Sequence, residues 1–302
     1  MAENKVPGAS PGEVAVVGLG LMGAPIARHL LAAGHRVTGF DVNSERMAAA
    51  TAAGVSAAAS AAEAAATAGV VLTSLPSEDA LTSTVKGLVS APGCHQRDLV
   101  MVELSTLSVQ SKRAARDALA AVGIGMLDCP VSGTGAQAIT RDIVLYASGE
   151  QVLYQACVEL FSAFCRDAYY VGVFGQGMKM KLVANHLVAI LNVAAAEAVN
   201  LAELSGLDPA QMLEVVGAGA AGFRLLDLRG PMMAQGRYEP ATMKLEVWQK
   251  DMALIEAFAA GLKASTPLFS ATKPLYAGAI ERGWGGQDTA AVRELLRAAD
   301  QS

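Results

Sequence analysis

Two groups of residues in this 302-residue chain have the types and spacing that do chemistry. The first is Gly18, Gly20 and Gly23, with Asp41 eighteen residues beyond the last of them. Gly18 suits the tight turn out of a strand, Gly20 lets backbone approach a pyrophosphate, and Gly23 lets a helix pack close to a sheet. The free N–H groups at the helix start then face the phosphates. Asp41 can accept both ribose hydroxyls of an adenosine, and its charge repels a 2′-phosphate. The pattern serves a nicotinamide dinucleotide, NAD ahead of NADP, although Asn43 and Arg46 nearby leave room for a phosphate. The second group is Lys181 and Asn185, four apart on one helix face, with Val188 and Asn192 continuing the stripe. A lysine near a helix N-terminus, and buried, is pushed toward its neutral form. Such an amine can pass a proton to or from a substrate oxygen. Lys179 points to the other side of the helix. From spacing alone, Lys181 reads equally well as a surface residue near a helix start.

Other residues offer weaker signals. Ser132 and Gly133 directly follow a strand, so their N–H groups and hydroxyl suit a small carboxylate, although an ordinary polar turn is the commoner reading. Leu75 and Pro76 fall in a loop at a strand end, as do Ser105 and Thr106, which could equally cap the next helix. Lys250 and Asp251, on a helix with Trp248, read by themselves as a solvated pair. His29, His35, His95 and His186 form no ligand cluster, and a metal site is not expected. Cys94, Cys129, Cys157 and Cys165 lack metal spacing and read as reduced, mostly buried thiols.

These residues need elements to position them. Residues 14–17 form a β-branched run suited to a buried strand. A helix follows, with Met22, Ile26 and Leu30 on one side and Gly34 as its stop. Further strands are expected at Arg36–Phe40, 70–75, 99–103 and 126–129, with 143–147 and 168–171 as late strands of the same sheet. Helices are expected at 44–53, over the alanine-rich run 57–68, and from Val109. This alternation predicts an α/β, doubly wound sheet, with ligands outside the carboxyl ends of its strands. From Phe174 the strand pattern stops, and helices are expected at 178–205, from Asp208 and Pro209, and at 245–260, 268–281 and 290–299, the last capped by Asp288. The organisation read from this is a tail at 1–12, a dinucleotide-binding domain at 13–173 and an all-helical domain at 174–302, linked by the long helix.

The chain is 53% apolar and 17% charged, with a net charge of −5 and no concentration of basic residues. That excludes nucleic acid as an expected partner. The longest apolar stretch, 187–199, is interrupted by Asn192 and Glu197 and is too short to cross a bilayer, so a core helix is expected and no membrane partner. The opening residues lack the apolar core of a secretory signal and read as a disordered tail, which makes the cytosol the expected compartment.

Taken together, these residues resemble the β-hydroxyacid dehydrogenase family, which contains 3-hydroxyisobutyrate dehydrogenase and tartronate semialdehyde reductase. Four segments carry the resemblance in order. The stretch Gly18, Leu19, Gly20, Leu21, Met22, Gly23 is similar to the family's cofactor loop. Glu103, Leu104, Ser105, Thr106 resembles the loop beside the nicotinamide, and Asp128 to Gly133 the substrate-binding signature. Gly175 to Lys181, with Asn185, resembles the catalytic signature, and Lys250 and Asp251 stand where the family carries a Lys-Asp pair. The resemblance implies Lys181 as general acid/base and Asn185 as the residue that orients substrate. It implies Ser132 and Gly133 as holders of the substrate acid group, and Lys250 as a residue closing around cofactor and substrate. It also implies a Rossmann domain followed by a helical domain that builds homodimers or homotetramers, acting on a small anionic hydroxy acid or aldehyde. The chain departs from the family at Thr134, where a second Gly is usual, at Arg141, which replaces a turn Gly, and at Val109, which replaces a Pro. Thr134 is expected to narrow the substrate loop, and with Arg141 to alter the pocket. Two alternatives stand beside this reading: an imine reductase, which generally replaces the lysine, and a non-catalytic dinucleotide-binding module.

Overall fold

In the computed structural model, residues 12–94 and 99–300 are described. The expected tail, up to residue 11, and His95 lie outside them. By its contacts the chain divides into two units, Met1–Lys181 and Leu182–Ser302.

The first unit alternates strands and helices: β1 (Glu13–Val17), α1 (Gly23–Ala32), β2 (Arg36–Phe40), α2 (Ser44–Ala52), β3 (Ser56–Ala57), α3 (Ala61–Ala65), β4 (Val70–Thr73), α4 (Glu78–Val89), β5 (Val100–Glu103), α5 (Val109–Ala120) and β6 (Gly125–Asp128). These strands form a parallel six-stranded sheet in the order β3-β2-β1-β4-β5-β6. The order reverses between β1 and β4, which is where such sheets bind ligands. Both faces are covered. Val14 and Val16 point into one core, with Ile26 and Leu30 of α1, while Ala15 and Val17 point into the other, with Leu81 and Leu88 of α4. Side-chain caps start α2 and α5 near their expected positions, Asn43 for α2 and Ser108 for α5, and Ser77 caps α4, a helix not among those expected. Gly34, at φ +90°, follows the end of α1.

Two expectations fail here. The alanine-rich run 57–68 is not one helix. Ser56 and Ala57 pair with β2 as an edge strand, and only Ala61–Ala65 is helical. Ser60 Oγ accepts the Glu63 N–H, and Glu63 Oε2 accepts the Ala59 N–H, so the chain starts its helix after the strand. Alanine's helix preference, a few tenths of a kcal/mol per residue, does not outweigh strand pairing. The late strands also leave the main sheet. After β6 come β7 (Val131–Ser132), α6 (Gly135–Ile139), β8 (Val144–Ala147), α7 (Gln151–Phe164) and β9 (Asp167–Tyr170). β7, β8 and β9 form a separate three-stranded sheet, with β8 antiparallel to β7 and parallel to β9. Pro130 has no N–H to give a ladder and ends the pairing of β6, leaving a single bridge from Asp128 to Ser148.

The long helix α8 (Gln176–Leu204) starts in the first unit and runs through the second. After it come α9 (Pro209–Gly217), α10 (Arg224–Gln235), α11 (Leu245–Gly261), α12 (Pro267–Glu281) and α13 (Val292–Asp300), and no strand is formed among the described residues of this unit. Asp208 caps α9 as expected, whereas Asp288 caps a 3-10 turn, Thr289–Ala291, that precedes α13. Among the described residues α8 is the one helix long and apolar enough to cross a membrane. Its buried polar residues are paired as in a protein core. The Asn192 amide donates to Tyr276 Oη at 3.0 Å and to the Thr289 carbonyl at 2.9 Å, and its oxygen accepts from Arg229. Arg229 in turn lies 3.4 Å from Asp288.

Candidate functional site

The glycine loop after β1 separates two structural glycines from one that leaves room. Gly18 has φ +88°, and a Cβ there would fall 2.1 Å from the Ser74 carbonyl oxygen. A Cβ on Gly23 would fall 1.8 Å from the Gly18 carbonyl oxygen, so α1 must begin with glycine to lie against the loop. The nearest atom to a Cβ on Gly20 is a guanidinium nitrogen of Arg46 at 3.7 Å, which leaves its backbone open to a ligand. Asp41 is buried and organises this loop. Its Oδ2 accepts the Leu19 N–H at 2.7 Å, its Oδ1 accepts the Asn43 N–H at 2.9 Å, and Arg46 lies 3.6 Å away. A carboxylate has about four lone-pair positions, so two backbone bonds leave capacity for ribose hydroxyls. Leu19 is buried beneath the loop, Met22 is half-buried and Leu21 is exposed. The arrangement fits a dinucleotide: a backbone approach at Gly20, a helix N-terminus behind it and an acid at the end of β2.

At the carboxyl ends of β4 and β5 the chain is tied together through Ser105. Ser105 Oγ accepts the Leu75 N–H at 2.7 Å, and the Ser105 N–H donates to Glu103 Oε1 at 3.0 Å. This fixes the Leu75–Pro76 loop beside Ser105 and Thr106. Neither of those two caps the next helix, because Ser108 does.

Glu103 leads to an ionic cluster that sequence reasoning missed. Lys112 of α5 places its ammonium 2.6 Å from Glu103 Oε2 and 2.8 Å from Asp128 Oδ1, and all three residues are fully buried. Burial alone would lower the Lys112 ammonium, but the Asp128 and Glu103 carboxylates outweigh it and push it up to about 12. Burial, with the Asp128 charge beside it, keeps the Cys129 thiol protonated. The other oxygen of Asp128 accepts the Met178 N–H at 2.9 Å and the Ser148 hydroxyl at 3.1 Å, while Ser148 Oγ accepts the Gly177 N–H at 2.9 Å. The first turn of α8 is therefore held at the carboxyl end of β6 by a charged cap. Gly177 makes this approach feasible, since a Cβ there would fall 2.2 Å from the Tyr146 carbonyl oxygen.

The segment after β7 reaches the glycine loop. Gly133 has φ +143°, and a Cβ there would meet Ile143 at 2.7 Å. Ser132, at the end of β7, is half-buried. A Cβ on Gly135 would lie 3.3 Å from the Leu21 carbonyl oxygen, so the two loops abut. Thr134 does not simply narrow this turn. It caps α6, with Gln137 accepting its N–H at 3.0 Å and donating its own N–H to the threonine hydroxyl. Arg141 takes the left-handed conformation of the glycine it stands for, φ +61°, and its exposed side chain donates to the Ser162 carbonyl at the end of α7 rather than entering this loop.

On α8, Lys181 and Asn185 are 8% and 4% exposed, one turn apart. The Asn185 amide donates to Asp251 Oδ2 at 2.9 Å, so Asp251 is a buried partner rather than half of a solvated pair, while Lys250 beside it is exposed. His186 stacks on Phe269 with ring centroids 5.6 Å apart, a structural contact. All four cysteines are buried free thiols.

Known proteins resemble this chain in sequence and fold. Residues 13–175 match the family model described as the NAD binding domain of 6-phosphogluconate dehydrogenase. Residues 175–296 match the model described as the NAD-binding domain of NADP-dependent 3-hydroxyisobutyrate dehydrogenase. The chain is 29% identical to glyoxylate/succinic semialdehyde reductase 2 of Arabidopsis thaliana, over 95% of this chain and 80% of that protein. It is 31% identical to the NAD-dependent L-serine dehydrogenase of Pseudomonas aeruginosa, over 94% and 97%. Its fold superposes on Mycobacterium tuberculosis 3-hydroxyisobutyrate dehydrogenase with L-serine at a TM-score of 0.84 and 27% identity, covering 94% of this chain and 99% of that one. An imine reductase from Pseudomonas sp. is a more distant likeness of fold alone, at a TM-score of 0.64 and 18% identity, covering 95% and 100%.

Proposed function

This chain belongs to the β-hydroxyacid dehydrogenase family, and we propose that Lys181 is the general acid/base of its reaction on a small β-hydroxy acid or the matching semialdehyde or keto acid. The enzyme is an NAD(P)-dependent oxidoreductase that acts on hydroxyl groups. The observation that carries the assignment of Lys181 is the first turn of α8. A buried carboxylate pins that turn at the carboxyl edge of the parallel sheet, and three residues after Met178 the helix presents a buried lysine.

When bound, the nicotinamide cofactor supplies or accepts the hydride. Gly18, Gly20 and Gly23, with Leu19, Leu21 and Met22, hold its pyrophosphate, and Asp41 takes the adenosine ribose, favouring NAD over NADP. Leu75, Pro76, Ser105 and Thr106 line the nicotinamide end. In reduction Lys181 Nζ gives its proton to the carbonyl oxygen, and in oxidation it removes the hydroxyl proton. Asn185, held by Asp251, orients the substrate oxygen, and the Ser132–Gly133 turn, ahead of Thr134, takes the acid group, with Lys250 closing around cofactor and substrate. We place the end of the cofactor-binding part at 173 and assign 174–302 to substrate binding and assembly, as a homodimer or homotetramer in the cytosol.

The test is the initial rate of NADH and NADPH oxidation with a panel of small acidic aldehydes and keto acids, and of the reverse reaction with L-serine and 3-hydroxyisobutyrate. Turnover of at least one acid, faster with NADH, is expected. Tight NADH binding with no turnover of any member would overturn the substrate class.

A further inference from the structure

We infer that Lys112 is a positioning residue for this reaction: its buried ammonium ties the carboxylate that holds the Ser105 loop to the carboxylate that holds the helix start ahead of Lys181. The inference rests on the reading of Lys181 as the proton-transfer group.

The geometry is a relay of fixed bonds. One oxygen of Glu103 faces Lys112 at 2.6 Å, and its other oxygen accepts the Ser105 N–H. One oxygen of Asp128 faces Lys112 at 2.8 Å, and its other oxygen accepts the Met178 N–H and the Ser148 hydroxyl. A single ammonium thus sets the spacing between the nicotinamide-side loop and the first turn of α8. Stability alone does not require it, because a buried ion cluster is often no more stable than apolar side chains of the same volume. Apolar side chains, however, cannot hold two carboxylates at a set separation. Reacting groups tolerate little displacement: about 1 Å costs roughly 10²-fold in rate.

The ammonium also sets the charge state of the pair. Facing it are Glu103 from β5, Asp128 at the end of β6 and the Cys129 thiol just after it, while the Ser148 hydroxyl donates to the far oxygen of Asp128. The thiol is neutral, so the cluster holds two negative charges against one positive charge. Without Lys112 two like carboxylates share a dry site with no counter-charge between them, and their repulsion drives the loop and the helix start apart.

The experiment compares wild type with Lys112→Met, Lys112→Met/Glu103→Gln and Lys181→Ala, using whichever acid the panel shows to be turned over. NADH affinity by fluorescence, KM, kcat, melting temperature and the pH profile of kcat are read for each. The double variant restores charge balance and remains the test if the single one fails to fold. The expected result for the double variant is NADH affinity and KM within about threefold of wild type, with kcat down roughly 10²-fold. Lys112→Met is expected to lose at least as much kcat as the double variant, because it leaves both carboxylates without a counter-charge. If the double variant keeps wild-type kcat and pH profile while Lys181→Ala loses turnover, the inference fails and the reading of Lys181 stands. A loss spread equally over NADH affinity, KM and kcat, following the melting temperature, also overturns it, because that is the mark of a merely structural residue. If Lys181→Ala keeps turnover, the underlying reading fails first.

Discussion

At Asp41 one carboxylate has two jobs. It accepts backbone N–H groups from Leu19 and Asn43, which shapes the glycine loop, and at the end of β2 it is the acid proposed to hold an adenosine ribose. Arg46, 3.6 Å away, is the charge that would meet a 2′-phosphate once the acid is gone. Asp41→Ser is therefore expected to raise the ratio of NADPH to NADH kcat/KM by at least ~10-fold, which corresponds to about 1.4 kcal/mol. Steady-state kinetics with both cofactors measures it, and an unchanged ratio would remove Asp41 from cofactor choice. The tight glycine turn, the acid at the end of β2 and the one-turn spacing of Lys181 and Asn185 on α8 were legible in the sequence because they depend on local spacing. Lys112 was not, since among Gln110, Arg113 and Arg116 it looks like part of a solvated helix face. The signal was its register: Lys112, Ala115 and Leu119 share one buried side of α5. The role of Thr134 as a cap could also have been read, because Gln137 stands three residues later in the pattern of a capping box.

The start of α8 shows how an element carries a site. Gly177 has the Tyr146 and Asp128 carbonyl oxygens 2.2 and 2.6 Å from where its Cβ would be, so any side chain lifts the helix off the backbone beneath it. Gly177→Ala is expected to lower stability by about 1–3 kcal/mol, the usual cost of overpacking. It should also lower kcat more than NADH affinity, because the displaced turn leads to Lys181 while the glycine loop is untouched. Thermal melting and NADH titration check both parts, and a variant as stable and active as wild type would contradict the packing argument. Most elements were readable because buried parallel strands are short apolar runs and several helices, among them α2, α5 and α9, start at side-chain caps. The second sheet was not, since which strands β8 and β9 join depends on long-range pairing that starts from β7 after Pro130. The alanine-rich run misled for a related reason, as propensity says nothing about the neighbouring strand that recruits Ser56 and Ala57.

Over the whole molecule the mean hydropathy is positive, and apolar residues fill the two cores of the first unit and much of α8. Yet α8 also shows an apolar stripe to solvent: Val183, Leu187, Leu201 and Leu204 are exposed and recur at helical spacing. A second copy of the chain is the partner this stripe is expected to cover, in keeping with the proposed homodimer or homotetramer. Leu187→Glu with Leu201→Glu should halve the mass or more in light scattering behind gel filtration, and a wild-type protein that is already monomeric would refute the assembly. The chemistry proposed for the molecule turns on one lysine. The most direct measurement is kcat and NADH affinity of Lys181→Ala beside wild type, with the best acid from the panel. Removing a general acid/base predicts a fall in kcat of roughly 10²–10⁴-fold, with NADH affinity within about threefold. A variant that keeps wild-type kcat would contradict it.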